Sequence, residues 1–527
     1  IKFSFFAFVS PIISLSMAQK SKSIYGIETY TSISKVAVIG AGAAGLIVTN
    51  ELIKNKFDVT VFEQSFQIGG VWQYDVSNIN PMYRSLRTNL PSEIMSISYE
   101  DPFILSKSSQ DIKNSCSNSK YEVDTRKSSY AEHQEVLDYL IGYASKYSLA
   151  KYIQFNSLVT KITKNPRNSK HRWSITYCCD AGNEKCGDKT NDFDAVVVCN
   201  GHFSVPFIPN IPNLAVFRGI SIHSINYDSF IKANPAILTG KKILIIGSKS
   251  SGTDLTREIM QYGLAAEVHV SDRNIQSSCV LSYPEGVILD TVDEYRSSLL
   301  YYHPAIDHID QESGAIVFTD GLQVLNIDIL LWCTGYNYSF PFLQSSDQID
   351  QIEEQLEGNK DKFSIPLEAG KRLRGLYQRL FHLQEPTLTF VGLPFSVVPF
   401  PLFYFQAMLI AAVFKGTVQL PPIEERIRLL EEEENALQYK NLFNDKYHYL
   451  GGDSQWEYCR SLVQLVLPVI DKEDNKRQKV ASYIDMLQGI YNDNNKRRPT
   501  FTGGLDSYRS RRYRINWESF EWEVESD

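Results

Sequence analysis

The sequence is poor in cysteine, and the few cysteines it has are not spaced for metal or redox chemistry. Among its 527 residues are eight cysteines, which form no CxxC pair and no zinc-type spacing. This argues against a structural zinc module and against a redox-active disulfide, and it favours reduced structural thiols. The net charge of −8 and the lack of a basic stripe with interleaved aromatic residues give no reason to expect a nucleic-acid partner.

Long uninterrupted hydrophobic runs are also scarce. The uncharged stretch Pro386–Phe414 is the main candidate for a membrane span, but Pro394, Pro399 and Pro401 would break a helix across most of it. About fourteen residues remain from Pro401 onwards, too few to cross a bilayer. We therefore predict no transmembrane span and a buried helix with proline near its first turn.

Residues 1–16, IKFSFFAFVSPIISLS, resemble a short signal peptide, which would place the protein in the secretory pathway or the endoplasmic reticulum. Met17 looks like an ordinary start, however, and the single glycosylation sequon, at Asn337, lies in a motif expected to be buried. These two features favour a cytoplasmic protein with a leader over residues 1–31.

The stretch Lys35–Glu63 reads KVAVIGAGAAGLIVTNELIKNKFDVTVFE and organises the rest of the chain. An apolar β-branched strand ends at Gly40, a helical stretch follows, and a second strand ends at Glu63. In this G-x-G-x-x-G pattern Gly40 allows the tight turn, Gly42 lets the backbone approach a pyrophosphate, and Gly45 lets the helix pack on the strand.

Charge and spacing complete the pattern. Unpaired N–H groups at the start of the helix, together with its positive dipole end, can hold phosphates. Glu63 follows Gly40 by 23 residues, where a carboxylate accepts hydrogen bonds from ribose hydroxyls and repels a 2′-phosphate. We predict a dinucleotide-binding unit here.

A second unit of the same kind begins at Lys242. The strand KILII runs into the turn Gly247–Gly252, a helix follows to Tyr262, and the next strand is Glu267–Ser271. The chain therefore carries two dinucleotide-binding patterns of the α/β class.

The residues that follow the second unit favour NADP over NAD. The Arg273 guanidinium suits a 2′-phosphate through paired, charge-assisted bonds, although Asp272 beside it argues the other way. Lys249 replaces the second glycine of the turn, and two interpretations stay open: a phosphate contact or a solvent-facing loop residue.

Between the two units, Phe217–Tyr227 reads FRGISIHSINY and matches the pattern FxGxxxHxxx(Y/F) at all of its fixed positions. Together with Cys333–Tyr336 downstream, this order of motifs resembles the flavin-containing monooxygenases from about Ser34 to about Leu450. The resemblance implies two Rossmann-like domains, with a smaller NADPH domain inserted in a larger FAD domain. The expected division is 32–208 and 329–450 for the FAD domain, with a mobile insertion at 106–129, then 209–328 for the NADPH domain and 451–527 for a C-terminal extension.

The resemblance also implies the chemistry. NADPH reduces FAD and stays bound as NADP⁺, oxygen adds to give a flavin 4a-hydroperoxide, and a soft nitrogen or sulfur atom of a small molecule attacks its distal oxygen, as in xenobiotic metabolism. No metal is expected, and a homodimer is left open. The cofactor-binding residues so implied are Gly40, Gly42, Ala43, Ala44, Gly45, Glu63, Gly70, Trp72, Thr88, Asn89, Gly247, Ser248, Ser250, Ser251, Gly252, Arg273, Thr334, Gly335, Tyr336 and Gln406.

Three of these implied roles are more specific. Asn89, in a Thr-Asn pair, matches the family asparagine that supports oxygen activation, because an amide can donate to a peroxide oxygen without carrying a charge. Gln406, expected near the start of the Pro401 helix, either faces the flavin or caps a turn. His223 matches a family residue that supports the crossing between domains rather than reacting.

Other enzymes with two dinucleotide sites are alternatives. A Baeyer–Villiger monooxygenase acting on ketones has Trp-Pro or Trp-Asp where this chain has Tyr227-Asp228, and a disulfide reductase needs the missing CxxC. A hydroxylase of free ornithine or lysine is a further, weaker alternative. An uncoupled NADPH oxidase that releases hydrogen peroxide remains if Lys249 impairs retention of the cofactor.

Overall fold

The computed structural model describes residues 33–75, 81–105, 128–166, 168–179, 187–281, 299–343, 366–444, 446–469, 475–497 and 506–525. The predicted leader and residues 106–127 of the predicted insertion lie outside these ranges. The predicted class, α/β with two dinucleotide-binding units, is confirmed.

The first unit is built on a seven-stranded sheet whose centre is the predicted strand Lys35–Ile39. Parallel neighbours flank this strand on both sides, Asp58–Phe62 and Ala195–Val198. From edge to edge the strands are Leu376–Tyr377, Phe381–His382, Leu388–Phe390, Ala195–Val198, Lys35–Ile39, Asp58–Phe62 and Ile153–Gln154.

Both faces of this sheet are covered, which explains the continuous apolar sequence of its central strand. Val36 and Val38 point into a core formed with five helices, whereas Ala37 and Ile39 point into a second core. The five helices are α1 (Ala43–Lys54), α2 (His133–Lys146), α4 (Pro399–Phe414), α6 (Ser454–Val466) and α7 (Lys476–Arg497). The second core lies under the three-stranded sheet of Ser157–Lys164, Trp173–Cys179 and Lys189–Phe193.

The helix predicted from the proline-rich apolar stretch is α4, and it is buried. It begins at Pro399, where the missing N–H costs no helical hydrogen bond, and it packs against α1 inside the first core. In the part of the chain that the structure describes, no helix combines the length and the apolar character needed to cross a bilayer.

The second unit is a six-stranded sheet with α3 (Ser250–Tyr262) on one face. Its strands, in spatial order, are Cys279–Leu281, Leu299–His303, Glu267–Ser271, Lys242–Ile246, Ile329–Trp332 and Ile220–His223. A small sheet of Ile306–Ile309, Ile316–Phe318 and Gln323–Val324 covers the other face.

The predicted return of the chain to the first unit at residue 329 is wrong. Ile329–Trp332 pairs in parallel with both Lys242–Ile246 and Ile220–His223, so it is an inner strand of the second sheet. The crossing follows Trp332 instead. Tyr336–Asn337 there pairs with Val205–Pro206, the segment that leads into the second unit, so the outgoing and incoming segments form one two-stranded ribbon.

The residues predicted only as a C-terminal extension complete the first core. Helix α7 (Lys476–Arg497) and the hairpin of Tyr513–Ile515 with Trp522–Val524 bury side chains in it. Two further elements of the described chain are the charged helix α5 (Ile423–Tyr439) and the short antiparallel pair of Leu367–Glu368 with Arg372–Leu373.

Candidate active site between two dinucleotide-binding turns

The two glycine-rich turns have the same geometry. Gly40 and Gly247 open them with φ of +102° and +99°, a region that favours glycine. A Cβ on Gly45 would lie 1.9 Å from the Gly40 carbonyl oxygen, and one on Gly252 would lie 1.8 Å from that of Gly247. In both units, therefore, the third glycine is required by contact between helix and strand.

The backbone of the first turn leaves room for a close ligand. Gly42 lies at the N-terminus of α1, where no side chain caps the helix, and Gly70 of the next loop approaches it closely. A Cβ on Gly70 would lie only 3.0 Å from the Gly42 Cα. Half-buried Trp72 follows, with its ring edge on to Phe400. This cradle of two glycines and free helix N–H groups fits the pyrophosphate of FAD.

Lys249 does not distort the second turn. Its backbone, at φ −78° and ψ −164°, matches that of Gly42 at φ −72° and ψ −173°. Lys249 is an exposed residue of the turn, which is compatible with both interpretations. Desolvation of its ammonium, together with the positive charges of Lys446 and Arg273, lowers the pKa of Lys249, while Asp272 opposes this. The charges of Lys446 and Arg273 thus act on Lys249 across a short distance.

The two acidic residues at the strand ends differ in how many hydrogen bonds they already accept. Within the described residues Glu63 accepts two, from Ala41 N at 2.7 Å and from Ser65 N at 2.8 Å. A carboxylate has about four acceptor positions, so Glu63 retains capacity for ribose hydroxyls.

The carboxylate of Asp272 already accepts four hydrogen bonds from within the protein. Its Oδ2 accepts from Ser248 N and Oγ at 3.0 and 2.6 Å, and its Oδ1 accepts from Asn274 N and Nδ2 at 2.9 and 2.8 Å. Although desolvation opposes them, the bonds from Ser248 and Asn274 lower the pKa of Asp272. Asp272 therefore fixes the turn, and Arg273 beside it is exposed.

The Thr88–Asn89 pair reaches from the first unit to the second. Half-buried Asn89 donates from Nδ2 to Ser250 Oγ at 2.9 Å, at the first residue of α3. Thr88 is buried, and its Oγ1 meets no hydrogen-bond partner among the residues described. A buried hydroxyl without a partner is costly unless a ligand satisfies it.

The predicted residues Thr334, Gly335 and Tyr336 lie in the crossing ribbon. Thr334 Oγ1 donates to the Phe207 carbonyl, and Phe207 N donates to Gly335 O at 2.9 Å. His223 Nδ1 accepts from Ile225 N, so its Nε2 carries the proton and donates to Gly335 O at 3.1 Å. Burial lowers the pKa of His223, which keeps it neutral. His223 thus supports the crossing, as the resemblance implied.

Gln406 lies in the middle of α4 rather than near its start, and it is fully buried. Its Oε1 accepts from Gly392 N at 3.1 Å, and its Nε2 donates to Tyr458 Oη at 3.0 Å. The amide thus ties α4 to the Gly392 turn, which is nearer to the turn-holding alternative than to the flavin-facing one.

Sequence reasoning missed a group of residues beside Asn89. Asp254 of α3 accepts from Tyr83 Oη at 2.8 Å and from the buried side chain of Arg509, which comes from the C-terminal tail. None of the three stands in a recognisable motif, and Arg509 is separated from Asp254 by 255 residues. No local signal in the sequence could have joined them.

Comparison with known proteins agrees with this architecture. The family model described as "FMO-like: Flavin-binding monooxygenase-like" matches residues 33–296 and 293–466. The Arabidopsis thaliana flavin-containing monooxygenase FMO GS-OX-like 4 is 32% identical over 439 residues, 80% of this chain and 85% of that protein. FMO GS-OX-like 7 from the same plant is 33% identical over 487 residues, 88% and 91% of the two chains.

A solved structure extends the likeness to three dimensions. S-allyl-L-cysteine S-oxygenase from Allium sativum superimposes with a TM-score of 0.67 at 27% identity, over 91% of this chain and 96% of that one. Two glycine-rich turns, a buried crossing histidine and a family match over most of the chain lead to one conclusion. The chain belongs to the flavin-binding monooxygenases and uses FAD and NADPH as its cofactors.

Proposed function

We propose that this monooxygenase transfers one oxygen atom to a soft nucleophilic nitrogen or sulfur atom of a small molecule, with FAD on the first turn and NADPH on the second. The observation that carries the proposal is the hydrogen bond from Asn89 to Ser250. It holds the Thr88–Asn89 loop of the first unit against the N-terminus of α3, and this supports a meeting of the two nucleotides at that point.

The residues around this junction can position the reacting groups and shield them from water, and neither task needs an acid–base pair. When bound, reduced FAD supplies the activation of oxygen. Asn89 can donate its second amide hydrogen toward the reacting oxygen atoms. The neighbouring Thr88 hydroxyl has no hydrogen-bond partner among the described residues. His223, kept neutral because burial lowers its pKa, holds the crossing ribbon between the two units.

Sulfur is the first substrate atom to test. The structure from Allium sativum is named for oxygenation of the sulfur of S-allyl-L-cysteine, and its likeness to this chain spans nearly all of it. A thioether needs no deprotonation before it attacks, which suits a site built from amide and hydroxyl groups.

The experiment supplies NADPH and oxygen with S-allyl-L-cysteine, methimazole, trimethylamine or phenylacetone, and measures NADPH consumption, oxygenated product and hydrogen peroxide. We expect sulfoxide or N-oxide formation that accounts for most of the NADPH. An ester from phenylacetone would instead make the protein a Baeyer–Villiger enzyme. Peroxide equal to the NADPH consumed, with every substrate, would make it an oxidase.

Arg273→Ala tests the preference for NADPH. Paired bonds to a charged phosphate contribute about 1.5–3 kcal/mol, so we expect the KM for NADPH to rise about 10- to 100-fold. The KM for NADH, which lacks the 2′-phosphate, is expected to stay within about twofold, because Arg273 makes no specific bond to a free ribose. Equal changes for the two dinucleotides would place the 2′-phosphate elsewhere.

A further inference from the structure

Arg509 is a buried charged residue in the C-terminal tail, beyond the part of the chain that the family model matches. Its side chain is 4% exposed, in the short helical turn Asp506–Ser510. Burying a guanidinium costs free energy unless its N–H groups are bonded, so the partners of Arg509 show what holds it there.

These partners belong to both dinucleotide-binding units. Arg509 Nε donates to Thr88 O at 2.9 Å and Nη2 donates to Arg87 O at 3.3 Å, which are the carbonyls just before Asn89. On its other side, Nη1 and Nη2 donate to the two carboxylate oxygens of Asp254, each at 3.1 Å. One planar side chain therefore connects the Asn89 loop with α3.

The tail that carries Arg509 is itself fixed to the first unit. Ser128 Oγ donates to the Arg509 carbonyl, and Ser129 N donates to Arg511 O at 3.0 Å. The hydroxyl of Ser129 accepts from Tyr513 N at 3.0 Å. The backbone that carries the guanidinium is thus held in place by hydrogen bonds, as a positioning group requires.

We propose that Arg509 is a positioning residue that couples the Asn89 loop to α3 and so keeps the two nucleotides aligned. Asn89, Tyr83 and Ser85 each make one side-chain bond from the same segment to α3, to Ser250, Asp254 and Glu258 respectively. The planar fork of Arg509 adds bonds on both sides of the junction. The fork fixes the direction of both partners, which a lysine ammonium cannot do. The consequence for oxygen transfer rests on the proposed function, but the coupling between the two units does not.

The test compares Arg509→Met, Arg509→Lys, Asp254→Asn and the double variant Arg509→Met/Asp254→Asn as FAD-loaded enzymes. Hydrogen exchange is measured over residues 83–90 and over α3, and the Kd of NADP⁺ is measured by calorimetry. Asp254→Asn changes no residue of the tail, so it still tests the bridge if Arg509→Met fails to fold.

Two arginines serve as matched controls. Arg257→Met removes another guanidinium that pairs with Asp254. Arg257 lies on the same helix, with its Nη2 2.6 Å from Asp254 Oδ1. Arg514→Met removes an exposed tail arginine that pairs with Glu525. We expect both control variants to show the same backbone hydrogen exchange and the same Kd for NADP⁺ as the unchanged enzyme.

We expect Arg509→Met to raise exchange in both segments and to weaken NADP⁺ binding about 10-fold, within the usual range of coupling between sites. Arg509→Lys should restore little of this, and the double variant should be no worse than the more severe single variant. Additive effects, or unchanged exchange over residues 83–90, would overturn the proposal. Should Asn89 prove dispensable for oxygen transfer, these results would still stand, so the two failures are distinguishable.

Discussion

Gly42→Ala is expected to give a folded protein that loses most of its flavin on gel filtration. The backbone of Gly42 is open to any residue, and a Cβ there would meet Gly70 Cα at 3.6 Å, an ordinary contact. The protein can therefore hold the methyl group. The pyrophosphate cannot approach past it, and crowding of this kind costs about 1–3 kcal/mol, which weakens FAD binding about 10- to 100-fold. The measurement is flavin absorbance per protein, followed by FAD titration of the stripped enzyme.

Two further glycine variants separate loss of cofactor from loss of fold. A Cβ on Gly45 would lie 1.9 Å from Gly40 O, so Gly45→Ala must move the strand or the helix and should lower the Tm of the stripped protein. Gly142, inside α2, meets nothing within 4 Å, so Gly142→Ala should keep its flavin and should not lower the Tm; a slightly raised Tm is expected, because alanine favours a helix more than glycine does. A Gly42→Ala enzyme with full flavin content would show that the pyrophosphate lies elsewhere.

The strand–turn–helix units were predictable because their signals are local. The strand Lys242–Ile246 was predicted with its observed bounds, since a β-branched apolar run that ends at a glycine has few alternatives. The same reasoning predicted the buried helix α4 from its prolines. In each case neighbouring residues fix the element.

Pairing and long-range contact were not predictable in this way. The run Ile329–Trp332 indicates a buried strand, but nothing in it says which of two sheets it joins. The sequence pattern therefore predicts the crossing too early. Side-chain contacts show the same limit: the role of Asp272 depends on bonds from Ser248, 24 residues away, and that of Arg509 on residues more than 250 positions distant. Such residues are recognised only once the fold brings them together.

The second large effect is expected for Asn89→Ser, which should keep its flavin and oxidise NADPH while forming little product. The shorter hydroxyl cannot both bond Ser250 and reach the reacting oxygen, and losing one such donor costs about 10²- to 10³-fold in the step that it assists. NADPH oxidation should then appear as hydrogen peroxide. The measurement is the ratio of product to NADPH consumed, with S-allyl-L-cysteine or methimazole as substrate.

Two neighbouring variants show whether donation or mere position of Asn89 matters. Asn89→Asp keeps the shape of the side chain but removes its donors, so it should be as uncoupled as the serine variant. Ser250→Ala removes the acceptor that orients the amide at 2.9 Å and leaves the amide itself in place, so a smaller loss is expected. If Asn89→Ser keeps full coupling, the amide has no part in oxygen transfer. If Ser250→Ala alone is severe, the bond between the units matters more than the donor, because the loop then depends on it to stay against α3.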